Sequence, residues 1–446
     1  MFKRILLIGV AYAVTGAVHA AVTPSEAQQL GNQLTAVGAE MAGNADGSIP
    51  PYTGGLTTPP PGFQKGSGVR PDPFAAEKPL FSINAKNMGQ HAERLTEAVK
   101  ALMARYPSFR IDVYPTHRTM AVPEQIRQNT AANALTGESI DGGLGVKNVK
   151  AGYPFPIPKD GYQVMWNHLL RYSGNAMEYR YKSWNVDASG RGILATEGVN
   201  SDDYPYYHSP GADVFWRLKV RYLGPERRNG EAILLKDAID VVGKGRSTWQ
   251  YLPGQRRVRL APSLAFDTPN PGTGGATTYD DAFVFNGSME RFDFKLVGKK
   301  EMYVPYNTYK MTYETKPEEL LAPNHLNPDF VRWELHRVWV VEATLKEGKR
   351  HIYGKRVFYV DEDSWAALAS DEYDGHGQLY RTVISTPTQS YDAVAPFTSS
   401  YFAYDLVAGN YAMVVHLGGE KGGLKYIDPL SERDWNADSL AGRGVR

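Results

Sequence analysis

Three acidic clusters carry the densest potential chemistry in this sequence. Asp361-Glu362-Asp363-Ser364 follows a strand-like run. Its carboxylates either hold a cation or form a solvated strand end that caps the next turn, and the solvated end is the expectation. Asp280-Asp281 and Asp202-Asp203 are adjacent pairs. Neighbouring side chains point in different directions, so these make poor acid–base dyads. Asn44-Ala45-Asp46-Gly47 looks like part of a calcium loop. Ala42 stands where the first acid belongs and Thr53 where the closing Glu belongs, so a Gly-ended turn is expected instead. Of the 10 His, none lies two or four residues from another, which gives no metal-ligand spacing. There is no Cys, hence no disulfide, no thiolate metal site and no cysteine nucleophile. No G-x-S-x-G, H-E-x-x-H or P-loop occurs. Arg257 and Arg259 share one face of a strand and Arg256 the other, which fits an anionic head group or, as expected here, a solvated face. Neither a catalytic residue nor a metal or other cofactor is expected.

The elements that would position such groups follow from composition and pattern. The chain has 446 residues, with 49 basic and 48 acidic side chains. That balance removes any whole-chain attraction to nucleic acid or an anionic membrane. Met1 to Arg4 is a short basic segment, Ile5 to Gly16 is apolar, and Val18-His19-Ala20 has the small residues of a cleavage site. Residues 1–20 therefore read as a signal peptide, with a mature chain from Ala21 exported to the periplasm. No later stretch is long and apolar enough to span a bilayer.

Residues 21–80 are rich in Gly and Pro, including Pro59-Pro60-Pro61-Gly62, and read as an extended arm wrapped over the rest. Residues 81–176 read as a helical lid. Met88, Ala92, Leu95, Val99, Leu102 and Met103 recur at helical spacing over 87–105, and Asp160 caps a second helix running to about residue 173. A further helix is expected from Pro123 to Leu135. Residues 177–446 read as strands joined by hairpins. Val214 to Tyr222 is the clearest, with Val214, Trp216, Leu218, Val220 and Tyr222 on one face and Arg217, Lys219 and Arg221 on the other. Tyr309 to Tyr313 also reads as a strand. Twelve or so strands in an antiparallel meander must curl to bury one face, so an incomplete barrel is expected.

An aromatic, half-polar β surface remains as the candidate site. Trp216, Leu218, Trp249, Tyr251, Phe292, Phe294 and Trp339 sit on expected strands and are the expected lining of an apolar cavity. The competing reading is ordinary core packing.

Several stretches resemble a proteobacterial family of exported proteins described as similar to outer-membrane lipoprotein-sorting proteins. They include Gly38-Ala39-Glu40, Ala42 to Gly47, Thr53-Gly54-Gly55, Pro115-Thr116-His117-Arg118, Pro154 to Lys159 and Trp166 to Tyr172. In the β region they are Tyr251 to Arg259, Phe285-Asn286-Gly287, Lys295 to Tyr303, Trp333 to Leu345 and Gly348 to Trp365. The resemblance implies a fold of the LolA/LolB type, an α+β architecture in which a large curled antiparallel sheet is covered by helices and the arm. It also implies traffic of a hydrophobic molecule, with an RND-type exporter and an outer-membrane protein as partners. The size of the chain points to a free lipid or other apolar molecule as cargo and away from a lipoprotein. The expectation is a periplasmic carrier or chaperone for a lipid-like ligand. Its rivals are a lipid-modifying enzyme without a recognised motif and a ligand-free adaptor of an export system.

Overall fold

Phe283 and Phe285 reveal how the sheet is shaped. Phe283 packs against Trp216 with ring centroids 5.3 Å apart, while Phe285 packs against Phe294 at 5.9 Å and Phe358 at 5.4 Å. Residues two apart span at most about 7 Å. Yet Trp216 and Phe294 lie on strands far apart in one sheet, so that sheet must curl around this segment.

The structure is a computed structural model that describes residues 22–261, 266–420 and 422–442. The expected signal peptide, residues 1–20, lies outside the described residues. Among the described residues the main sheet has 16 strands. From one edge it runs Phe292–Pro305, Arg332–Leu345, Lys355–Asp361, Ala367–Tyr373, Leu379–Ser385, Tyr401–Asp405, Asn410–His416, Ala176–Val186, Gly192–Asp203, Val214–Gly224, Ala232–Ala238, Arg246–Leu252 and Arg257–Leu260. Each of these neighbours is antiparallel. Three short strands, Phe81–Ile83, Ile111–Val113 and Leu424–Tyr426, are added along it, and Ile111–Val113 pairs in parallel with Arg332 and Trp333. Among the described residues no pairing joins the two outer strands, so the sheet curls without closing. The architecture is α+β, as expected.

The inner face is filled by the chain's own side chains. Helix Gly161–Leu169 is buried except at the half-buried Tyr162, and Val164, Met165 and Trp166 are fully enclosed. Asp160 caps it by accepting from the Gln163 N–H at 2.9 Å. Trp166 Nε1 donates to the Gly143 carbonyl at 2.9 Å. His168 Nδ1 accepts from the Ala367 N–H, so Nε2 carries the proton and donates to the Phe285 carbonyl at 2.7 Å. Burial, assisted by Arg171, holds its pKa well below the usual histidine range, and the ring is neutral.

The other expected lid helix is on the opposite face and is not continuous. Met88–Arg94 is a 3-10 helix, and an α-helix, Glu97–Arg105, begins after Thr96. Thr96 caps the second piece through the Val99 N–H. Asp371 accepts from the Glu97 and Ala98 N–H groups, both at 2.9 Å. Leu95 and Thr96 are extended, which breaks the expected single helix. The segment expected as strand Tyr309 to Tyr313 is a π-helical turn, Lys310–Glu314.

The arm is held by specific contacts. Gly38, at φ +97°, lies so close that a Cβ would meet the Pro156 carbonyl oxygen at 1.8 Å. Trp365 Nε1 donates to the Val37 carbonyl at 2.8 Å, and Leu56 N–H donates to the Thr119 carbonyl at 2.7 Å. Further along, the buried Arg70 pairs with Asp392, with its Nε at 2.6 Å from the carboxylate.

Candidate functional site

The expected cavity residues divide between two faces. Directly paired residues share a face, and Lys219 pairs with Leu234, which pairs with Trp249. Trp249 and Tyr251 thus sit on the outer face with Lys219, in a small cluster with Leu234, Trp435 and Leu440 from the C-terminal segment. Their placement on the concave interior is corrected by this register. Trp216, Leu218, Phe292, Phe294 and Trp339 belong to the inner cluster. Phe292 and Phe294 pack against each other and against His351, Phe285 and Phe358. Trp339 is half-buried and stacks on Trp365 at 6.0 Å, with Lys299 Nζ 4.7 Å from its ring centre.

Trp216 and Leu218 line a cavity of about 130 Å³ that is closed over by residues 270–286. Ligand pockets for drug-sized molecules run to about 300–1,000 Å³, so this space suits a small ring or a few waters. Beside it lies Asp202, which accepts from Trp216 Nε1 at 2.8 Å. Burial pushes the Asp202 carboxyl up to about 7. A carboxyl raised above its unfolded value of about 3.9 contributes stability below that value and loses it as pH rises through its folded pKa. Raising the pH from 5.5 to 8.5 should therefore remove about 2 kcal/mol by this group alone. Urea midpoints at the two pH values test this, with Asp202→Asn expected to reduce the fall by that amount. An identical fall in the variant contradicts it.

The roof over this small cavity is anchored by charge. Arg356 is fully buried and reaches Asp280 at 3.2 Å, Asp281 at 2.7 Å and Glu372 at 2.9 Å. The adjacent acids of this pair converge on one guanidinium, contrary to the expected divergence. The reason is the 3-10 turn Tyr279–Asp281, which changes their relative direction. Arg356 and His351 hold Asp280 below the usual carboxylate range, while burial and repulsion from Glu372 raise Asp281. Asp202 and Asp203 do diverge: Asp203 accepts from Arg217 Nε at 2.6 Å, away from Trp216.

A larger space lies under the arm. A cavity of about 670 Å³ is walled by Thr35, Ala36, Val37, Met41, Tyr52 and Thr53 from the arm. Met120, Ala121, Val122, Pro123 and Val394 face them, with Glu124 and Arg127 at the start of helix Glu124–Thr136. The walls are largely apolar, and Asp363 closes one corner. Tyr52 fixes the arm here by donating to the Met120 carbonyl at 2.9 Å. Arg118 lies over the Tyr52 ring at 5.3 Å and clamps Asp363 with Nε at 2.9 Å and Nη2 at 2.7 Å. The expected lining residues do not border this cavity. Its signal in the sequence is indirect, since several stretches that carry the family resemblance, 38–47, 53–55 and 115–118, run along or beside it.

The strand end Asp361 to Ser364 is buried, not solvated. The Arg118, Lys299 and Arg337 side chains and the arm cover it, Lys299 bridging Glu40 at 3.0 Å and Glu362 at 2.8 Å. His336, Asp361 and Asp363 bring one ligand atom each within 4.8 Å of one another. Among the described residues no helix is long and apolar enough to cross a membrane.

Comparison with known proteins places this chain in a family. Residues 82–441 match the family model described as Protein of unknown function (DUF1329). The "Uncharacterized protein PA3922" of Pseudomonas aeruginosa is 40% identical over 437 residues, covering 96% of this chain and 95% of that one. Among solved structures, a domain from Vibrio parahaemolyticus assigned to outer membrane lipoprotein sorting is similar, with TM-score 0.44 and 17% identity over 63% of this chain and 98% of that one. A DUF1329 family protein from Desulfovibrio piger gives TM-score 0.42 and 15% identity over 60% of this chain and 92% of that one. The LolA superfamily protein NE2245 from Nitrosomonas europaea gives 0.37 and 12%, over 63% of this chain and 100% of that one.

Proposed function

We propose that this chain, which belongs to the DUF1329 family, binds an amphipathic small molecule in the cell envelope and serves as its carrier. The observation that supports this is the cavity of about 670 Å³ between the arm and residues 120–127. Its volume falls within the range of small-molecule sites. Val37, Met41, Met120 and Val122 offer apolar walls to a hydrocarbon or ring, while Asp363, Glu124 and Arg127 add charge to its lining. Burying the apolar part of a ligand here yields about 25 cal/mol per Å² before the costs of ordering. The finer reading is a periplasmic carrier of a free lipid-like molecule that works with an RND-type exporter and an outer-membrane protein. No catalytic step is part of it.

The test is organic extraction of the purified chain followed by mass spectrometry. The expected result is one or a few amphiphiles at near-stoichiometric amounts. Extracts indistinguishable from those of an unrelated exported protein, together with no uptake from a lipid panel, contradict the carrier reading.

A further inference from the structure

We propose that His336, Asp361 and Asp363 form a binding site for a divalent transition-metal cation, Zn²⁺ or Mn²⁺. The three side chains are buried and their ligand atoms lie within 4.8 Å of one another. His336 comes from Arg332–Leu345, Asp361 ends the neighbouring strand Lys355–Asp361, and Asp363 follows two residues on.

The state of each donor points to a cation. His336 Nε2 lies 3.0 Å from Glu334 Oε2. Glu334 is an acceptor on every side, taking Arg332 Nε at 2.6 Å, Asn307 Nδ2 at 3.0 Å and the His117 N–H at 2.8 Å. The imidazole therefore donates through Nε2, which leaves Nδ1 as the nitrogen a cation would take in the neutral ring. A carboxylate behind one ring nitrogen is the usual support for a histidine that ligates metal through the other. The ring is also held flat against Tyr306, with centroids 3.6 Å apart.

Asp361 supplies an independent observation. Its Oδ2 accepts from Tyr306 Oη at 3.0 Å, Ser364 N–H at 3.0 Å and Ser364 Oγ at 2.6 Å. Its Oδ1 is buried and has no partner. Leaving such an atom unpaired is costly, more so when the group is charged. Nearby carboxylates have cationic partners: Glu334 has Arg332, Glu362 has Lys299 and Arg337, and Asp363 has Arg118. Among the described residues Asp361 pairs with no Lys or Arg, so a bound cation would answer both its charge and its free oxygen.

The donor set narrows the metal. One imidazole nitrogen with two carboxylates suits Zn²⁺ or Mn²⁺, whereas Ca²⁺ and Mg²⁺ favour oxygen-only sets. Asp363 borders the large cavity, which provides a route in and room for water to complete the coordination.

The experiment is calorimetric titration of the chelator-stripped protein with Zn²⁺, Mn²⁺, Mg²⁺ and Ca²⁺ separately. One equivalent of Zn²⁺ or Mn²⁺ should bind and raise the melting temperature. Asp361→Asn, nearly isosteric, should weaken it at least tenfold, and His336→Gln provides a second variant should the first fold poorly. Loading with Co²⁺ should give visible absorption bands in the wild type that are lost in either variant. No binding at 0.1 mM free metal, or equal binding by both folded variants, overturns the site.

Discussion

Arg356→Met should lower the unfolding free energy by about 3–5 kcal/mol. The side chain is fully buried and faces three carboxylates, Asp280, Asp281 and Glu372. Its Nη2 also lies 3.3 Å from the Val284 carbonyl, and the rings of Phe285, Tyr353 and Phe358 lie about it. Methionine fills much of the volume but leaves the acids without their cation. The segment they hold is the one that fills the curled sheet between Trp216 and Phe294, so the loss reaches the centre of the fold. A urea titration measures it. Adding Glu372→Gln and Asp281→Asn should recover part of the loss, because fewer charges then remain unpaired. A deficit under 1 kcal/mol in the single variant contradicts this account.

Trp365→Ala should cost a similar 3–5 kcal/mol and free the arm as well. Trp365 is fully buried, with its ring stacked on Trp339 and near Tyr153 at 6.4 Å. Its Nε1 holds the Val37 carbonyl, one wall of the large cavity. Alanine removes the core contacts and that tether together. Limited proteolysis should then cut within residues 31–57 under conditions where the wild type resists. Trp365→Phe should retain more of the stability but still speed cleavage. An arm as protected in Trp365→Ala as in wild type would show that the tether is dispensable.

What the sequence revealed depended on whether an element has one polar face. Val214–Gly224 alternates because one face meets the inner cluster and the other carries Arg217, Lys219 and Arg221, so it was readable. Ala232–Ala238 and Ala367–Tyr373 are buried on both faces and show no alternation. The second even carries Asp371 and Glu372, which is tolerable only because Arg356 and the start of helix Glu97–Arg105 satisfy them. Tyr309, Met311 and Tyr313 mimic strand spacing, yet all are buried in a π-helical turn, where period alone does not discriminate. The aromatic residues of the sheet were visible, but which face Trp249 occupies depends on a pairing register that alternation within one strand does not disclose. The large cavity joins residues 31–57 to 120–127, Asp363 and Val394, and no local pattern links segments so far apart. The burial of Asp361 and Asp363 was hidden for the same reason. Their covering partners, Arg118, Lys299 and the arm, come from other parts of the chain.

If the ligand site lies under the arm and not between the curled sheet and its filling, binding of a fluorescent fatty-acid analogue to wild type, Val122→Trp and Trp216→Leu should show it. Val122 lines the large cavity and Trp216 the small one. Val122→Trp, by filling the space, should weaken binding at least tenfold while still unfolding cooperatively, and Trp216→Leu should bind within about twofold of wild type at some cost in stability. Normal binding by Val122→Trp with loss in folded Trp216→Leu would contradict it and return the site to the concave face of the sheet.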